Sequence, residues 1–121
     1  MPNYIKSTDP FRVPTTDGKL IEEYFGLASS QTDTFSVAHM VAPSGWSEPS
    51  QTPEFDEITI MISGKKQISI DGELITLSVG ETLKVNKGAR VQYANPFEEP
   101  AEYWSVCLPA FSPDRVHRNE L

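Results

Sequence analysis

Wherever this chain shows a regular pattern, its hydrophobic and polar positions alternate with period two. From Glu57 to Ile62 a polar or adaptable set (Glu57, Thr59, Met61) interleaves with an aliphatic set (Ile58, Ile60, Ile62). That is the mark of a strand whose two faces meet different surroundings. Thr34 to Val41 and Glu102 to Leu108 read as further strands. Leu20 to Leu27 is a strand or a single helical turn, and Tyr24 and Phe25 favour the strand. Gly64, Gly72, Gly80 and Gly88 fall every eight residues, each in a turn-like setting. Asp71-Gly72 is the strongest of these, because a two-residue type I′ hairpin needs positive φ at both central positions. Short strands at this spacing predict an all-β fold, an antiparallel sandwich or barrel rather than a parallel sheet with crossover helices. No segment sustains a 3.6-residue period.

The ends are less regular. Pro2, Pro10 and Pro14 forbid a regular helix over residues 1–19. We expect an extended arm there, with a short edge strand around Phe11 to Val13 and a turn at Thr16 to Lys19. Pro109 and Pro113 end the last strand, and Asp114 to Leu121 reads as a short helix or a disordered tail. No linker or low-complexity stretch divides the 121 residues, so one domain over 1–121 is expected.

Composition narrows the function classes. With 38% hydrophobic and 22% charged residues, the chain is an ordinary globular one. Its net charge of -7 argues against nucleic-acid and membrane partners, whose phosphates would repel it. No apolar run approaches the roughly 20 residues that cross a bilayer. Met1 to Pro10 lacks the apolar region of a secretory signal, and the single cysteine, Cys107, suits a reducing compartment. A cytoplasmic protein is therefore expected, with Cys107 an inert core thiol.

Residues able to carry chemistry gather just ahead of the Glu57 strand: Glu48, Gln51, Glu54, Asp56 and Glu57 itself. Glu54 and Asp56 read as acids of a loop. Lys65-Lys66 reads as an exposed hairpin pair, and His117 as a solvated residue of the tail.

Two spaced sets run through the same region: Gly45, Gln51, Pro53, Glu57 and Gly64, then Gly80, Asn86, Gly88, Val91 and Asn95. Their spacing resembles the two motifs of small cupins, G-x5-H-x-H-x(3–4)-E-x6-G and G-x5-P-x-G-x2-H-x3-N. The run F-D-E-I-T-I-M-I-S-G is also similar to the ethanolamine-utilisation cupin type. The resemblance implies a single cupin jelly-roll β-barrel of two antiparallel sheets with an extended N-terminal arm, its motif block at 45–95. It also implies a small-molecule pocket inside the barrel.

In typical cupins two histidines, a glutamate and a third histidine hold a divalent metal. The matching positions here are Gln51, Pro53, Glu57 and Val91. Proline and valine cannot ligate, and a glutamine amide is a poor ligand for transition metals. No cofactor is expected. A divalent metal, if one binds, would fall to Glu57, Gln51 and His39, whose other reading is a hydrogen-bonded strand histidine.

With Glu57 inward, period two sends Met61 the same way, and an inward Val91 brings Tyr93 and Asn95. We expect Glu57 and Tyr93 as the catalytic pair. Gln51, Met61, Val91, Asn95, Trp46 and Trp104 are the expected ligand-binding residues. A desolvated carboxyl beside a phenol suits isomerase, epimerase or lyase chemistry on a polar small molecule. Two alternatives stand beside this reading. One is a non-catalytic sensor or assembly cupin, and the other a metal-dependent isomerase or oxygenase with non-standard ligands. The outward row Ile58, Ile60 and Ile62 needs a cover, from the N-terminal arm or a second copy, and a homodimer is expected.

Overall fold

The computed structural model describes residues 3–119. In chain order its elements are β1 (Phe11–Arg12), β2 (Leu20–Phe25), β3 (Ser36–Ala42), β4 (Asp56–Ser63) and β5 (Lys66–Ile70). Then come β6 (Glu73–Leu77), β7 (Thr82–Val85), β8 (Val91–Ala94), β9 (Ala101–Leu108) and the single turn of α1 (Pro113–Val116). One sheet has the order β1-β2-β3-β9-β4-β7 and the other β6-β5-β8. Every pairing is antiparallel. The all-β reading holds, and the two sheets face each other without closing into one.

Local chemistry explains the elements. Asp71 and Gly72 join β5 to β6 with φ of 47° and 88°, as the type I′ hairpin requires. The Leu20 stretch is a strand, paired with β3 along its length, so the helical alternative falls. The arm contributes only the two residues of β1, at the sheet edge. Pro113 begins α1, and His117 ends it with φ of 51°. The expected tail beyond this runs into residues 120–121, outside the described ones.

Period two decides what β4 buries. Thr59 and Met61 are 1% and 3% exposed, against 38% and 40% for Ile60 and Ile62. Met61 and Val91 join Ile68, Leu77, Val85, Tyr103 and their neighbours in the main core between the sheets. Phe55, Cys107 and Val116 form a second cluster, with Phe111 against it.

The two spaced sets meet in space. Gln51 and Val91 exchange backbone hydrogen bonds of 2.8 Å in both directions, and Gly88 donates to the Pro53 carbonyl at 2.9 Å. Asn95 fastens the end of the second set. Its Nδ2 donates to the carbonyls of Ala42, Pro43 and Glu99, and its Oδ1 accepts from the Phe97 amide. The side chain is spent on the backbone.

Candidate functional site

A cavity of about 520 Å³ lies between the sheets, within the size range of small-molecule sites. Val13 to Asp17 of the arm and the loop Trp46 to Gln51 border it, as do inward residues of β2, β3, β4, β5, β8 and β9. Period two again selects them. Ile21 and Glu23 project from β2, with Lys19 in phase just before it, Ser36, Ala38 and Met40 from β3, and Ser105 and Cys107 from β9.

Glu57 is held by two hydroxyls. Tyr93 Oη donates to its Oε1 at 3.2 Å, and Ser105 Oγ to its Oε2 at 2.6 Å. Burial, then the charge and hydrogen bond of Glu57, push the Tyr93 hydroxyl well above its ordinary pKa of 10.0. It therefore stays protonated as a donor. Ser105 follows from register alone, since Thr59 pairs with Ser105 and Glu57 with Cys107.

Two lysines also enter the cavity. Lys66 is 2% exposed, and its Nζ sits 3.6 Å from the Tyr103 ring centroid and 4.1 Å from that of Tyr93. The Nζ of Lys19 is 4.2 Å from the Trp46 ring and 5.6 Å from that of Tyr103. Burial lowers the Lys66 pKa and the Lys19 charge adds to this, against the pull of Tyr103, Glu57 and Glu48. For Lys19 burial also works downward, but Tyr103, Glu48 and Glu57 outweigh it and the net shift is upward. The exposed-hairpin reading of Lys66 is thus wrong. The turn ends at Lys65, and Lys66 opens β5 in phase with buried Ile68.

Other cavity groups are settled by neighbours. Burial raises the Glu48 carboxyl, with Lys19 opposing. Trp46 Nε1 donates to Asp17 Oδ2 at 2.7 Å. For Asp17 burial works upward, yet the Trp46 bond and the Lys19 amide leave its pKa lowered. Burial pushes the Cys107 thiol up, which keeps it unreactive even though it borders the cavity.

Of the expected site residues, the structure brings Glu57, Tyr93, Gln51 and Trp46 to the cavity wall. Met61 and Val91 lie in the core cluster, and Asn95 braces the turns. Trp104 projects from the opposite face of β9, beside Tyr24 and His39 at ring distances of 5.4 Å and 5.3 Å. His39 shares that outer face, with Nδ1 3.0 Å from Glu22 and Nε2 2.6 Å from Glu102. It cannot join Glu57 and Gln51 around one ion. No group of three or more His, Cys, Asp or Glu suited to a metal occurs among the described residues. His117 contacts Glu54 at the surface.

The outer His39 cluster predicts a pH effect. Burial lowers its pKa, but the bonds to Glu102 and Glu22 carry it above the ordinary 6.5. Its stabilisation is therefore complete below about pH 6.5 and is lost as pH rises through the elevated folded-state value. His39→Gln should lower the melting temperature near pH 5.5 and leave it unchanged near pH 9. The difference should be on the order of 1 kcal/mol or less. A deficit that persists undiminished at high pH would point to lost packing against Trp104 instead.

Two facing antiparallel sheets, a jelly-roll strand order and a polar cavity between them define a cupin-type domain. The Cupin domain family (Cupin_2) matches residues 38–107, and the chain belongs to it. A curated protein from Myxococcus xanthus (strain DK1622), called endoribonuclease YbeY, is 49% identical over 105 residues. The match covers 87% of this chain and 36% of that protein, so the chain spans about a third of the relative's length. Among solved structures, oxalate decarboxylase from Bacillus subtilis superposes with a TM-score of 0.78 at 17% identity. That match covers 91% of this chain and 30% of the other. The EutQ protein of Clostridium difficile gives a TM-score of 0.63 at 24% identity, covering 88% and 75% of the two chains. At these identities the likeness is one of fold.

Proposed function

We propose that this chain is a small-molecule-binding cupin of cytoplasmic metabolism that works without a metal and takes its ligand into the cavity around Glu57. The observation that carries this is the cavity of about 520 Å³ lined by Glu57, Tyr93, Gln51 and Trp46. The donor chemistry supports metal independence. Pro53 and Val91 offer no ligand atoms, His39 lies on the other face, and two buried lysine cations would repel a divalent ion. The single thiol and the charge of -7 support a reducing compartment and argue against RNA as this chain's own partner. The ribonuclease name belongs to a relative that is mostly outside the match.

The Glu57–Tyr93 hydrogen bond favours a catalytic form of this reading. There the Glu57 carboxylate takes a proton from the ligand and the Tyr93 hydroxyl donates one, as an isomerase, epimerase or lyase requires. A sensor or assembly cupin would use the same cavity without turnover. A thermal-shift screen of sugars, sugar acids and small amines should give at least one compound that raises the melting temperature. Elemental analysis should find no stoichiometric metal. A stoichiometric metal that is lost in Glu57→Gln would overturn the metal-free reading.

The outer sheet face suits a second copy of this chain. Ile60 and Ile62 are 38% and 40% exposed, with Trp104 and Ile58 beside them in register. The arm pairs with β2 at the far edge, and its Tyr4 and Ile5 are 75% and 73% exposed rather than packed on this row. Light scattering at micromolar concentration should give a homodimer, and Ile60→Glu should convert it to monomers.

A further inference from the structure

Within the cavity, two buried cations are left without a paired acid. The acids are already satisfied by neutral donors: Glu57 by Tyr93 and Ser105, Asp17 by Trp46, and Glu23 by the amides of Ala28 and Ser29. Glu48 is the exception, and burial favours its protonated, uncharged form. The Nζ atoms of Lys19 and Lys66, by contrast, enter no ion pair among the described residues. Both lie within 6 Å of the Tyr103 ring centroid, with the Glu48 and Glu57 carboxyls near but not paired to them. Tyr103 is 0% exposed, and among the described residues its hydroxyl lacks a well-formed hydrogen bond. An ammonium carries three donors, and burying them unmatched is costly.

We propose that the ligand is a small organic carboxylate whose anionic end is received by Lys66 and Lys19, with its organic body against Trp46 and Tyr93. This deepens the reading of the cavity as the binding site and rests on it. A carboxylate supplies the acceptors both ammonium groups lack, in a water-poor setting where charge-assisted hydrogen bonds are strong. Arg118, exposed on the cavity lining and outside every ion pair among the described residues, adds a third cation on the approach.

The test compares matched probes that differ in charge: benzoate with benzamide, succinate with succinamide, and benzylamine as the cation. Binding to the full chain is measured by calorimetry and ligand-observed NMR. A carboxylate should bind at least tenfold tighter than its amide. Lys66→Met should weaken it at least tenfold, and Lys66→Arg should weaken it less. Amides or benzylamine binding as well as carboxylates would overturn the carboxylate assignment while leaving the cavity as a binding site. Carboxylate binding unchanged in both Lys66→Met and Lys19→Met would overturn it too. If no probe binds, and crystals soaked in each show only water in the cavity, both readings fall.

Discussion

Gly64→Ala is expected to cost this fold about 4 kcal/mol, against about 1 kcal/mol for Gly72→Ala. Both glycines have left-handed backbone, with φ of 73° and 88°, so the conformational penalty on an L-residue is similar at the two turns. What differs is the space. A Cβ at Gly72 meets nothing within 4 Å, whereas at Gly64 it runs into the carbonyl oxygen of Pro100 and lies 3.2 Å from the Ala101 Cα. These are backbone atoms and cannot rotate away. Ala101 begins β9, which is hydrogen-bonded to β3 on one side and β4 on the other. A shift there disturbs the ladder that positions Ser105 beside Glu57. Urea unfolding of both variants should show the midpoint falling far more for Gly64→Ala, at an unchanged slope. Equal losses in the two would mean the close approach to Pro100 carries no energy.

The same geometry explains how far the sequence could be read. Glycine spacing and period two lead to two antiparallel sheets because a positive-φ turn and an alternating strand are local properties. Glu57 and Tyr93 follow from period two once the motif spacing aligns them. The side of Trp104 and His39 does not follow, because hydrophobicity here is a poor guide to inside and outside. On β3 the cavity side presents Ser36, Ala38 and Met40, while Val37 and Val41 face out. On β9 Ser105 and Cys107 face the cavity, and Trp104 and Val106 do not. These strands carry bulky apolar residues on the outer face, beside the polar His39 and Glu102. Asn95 escaped for another reason, since an asparagine at the end of a motif looks the same whether it binds a ligand or three carbonyls. The lysines escaped because lysine is ordinarily a surface residue. Their phase with Ile68 and Ile21 is the signal that places them inside.

Lys66→Met should stabilise the fold by about 2 kcal/mol while it weakens carboxylate binding at least tenfold. Taking a lone ammonium out of water costs several kcal/mol even after relaxation. Its contacts with the Tyr103 and Tyr93 rings, at 3.6 Å and 4.1 Å, return about 1 to 2 kcal/mol each when desolvated. Methionine has nearly the same length and fills such a channel without charge. The pH dependence distinguishes this from better packing. Burial lowers the Lys66 pKa below 10.5, so the unfolded chain takes up its proton at a higher pH than the folded one. The penalty is therefore complete below the folded-state pKa, shrinks as pH rises toward about 10.5, and vanishes above it. The advantage of Lys66→Met over the natural chain should follow that course in thermal melts between about pH 7 and pH 11. A variant less stable than the parent at pH 7 would show that the aromatic cage alone keeps the ammonium there. A variant that is more stable but binds carboxylates at least tenfold more weakly would mark Lys66 as a charge retained for its ligand at the expense of the fold.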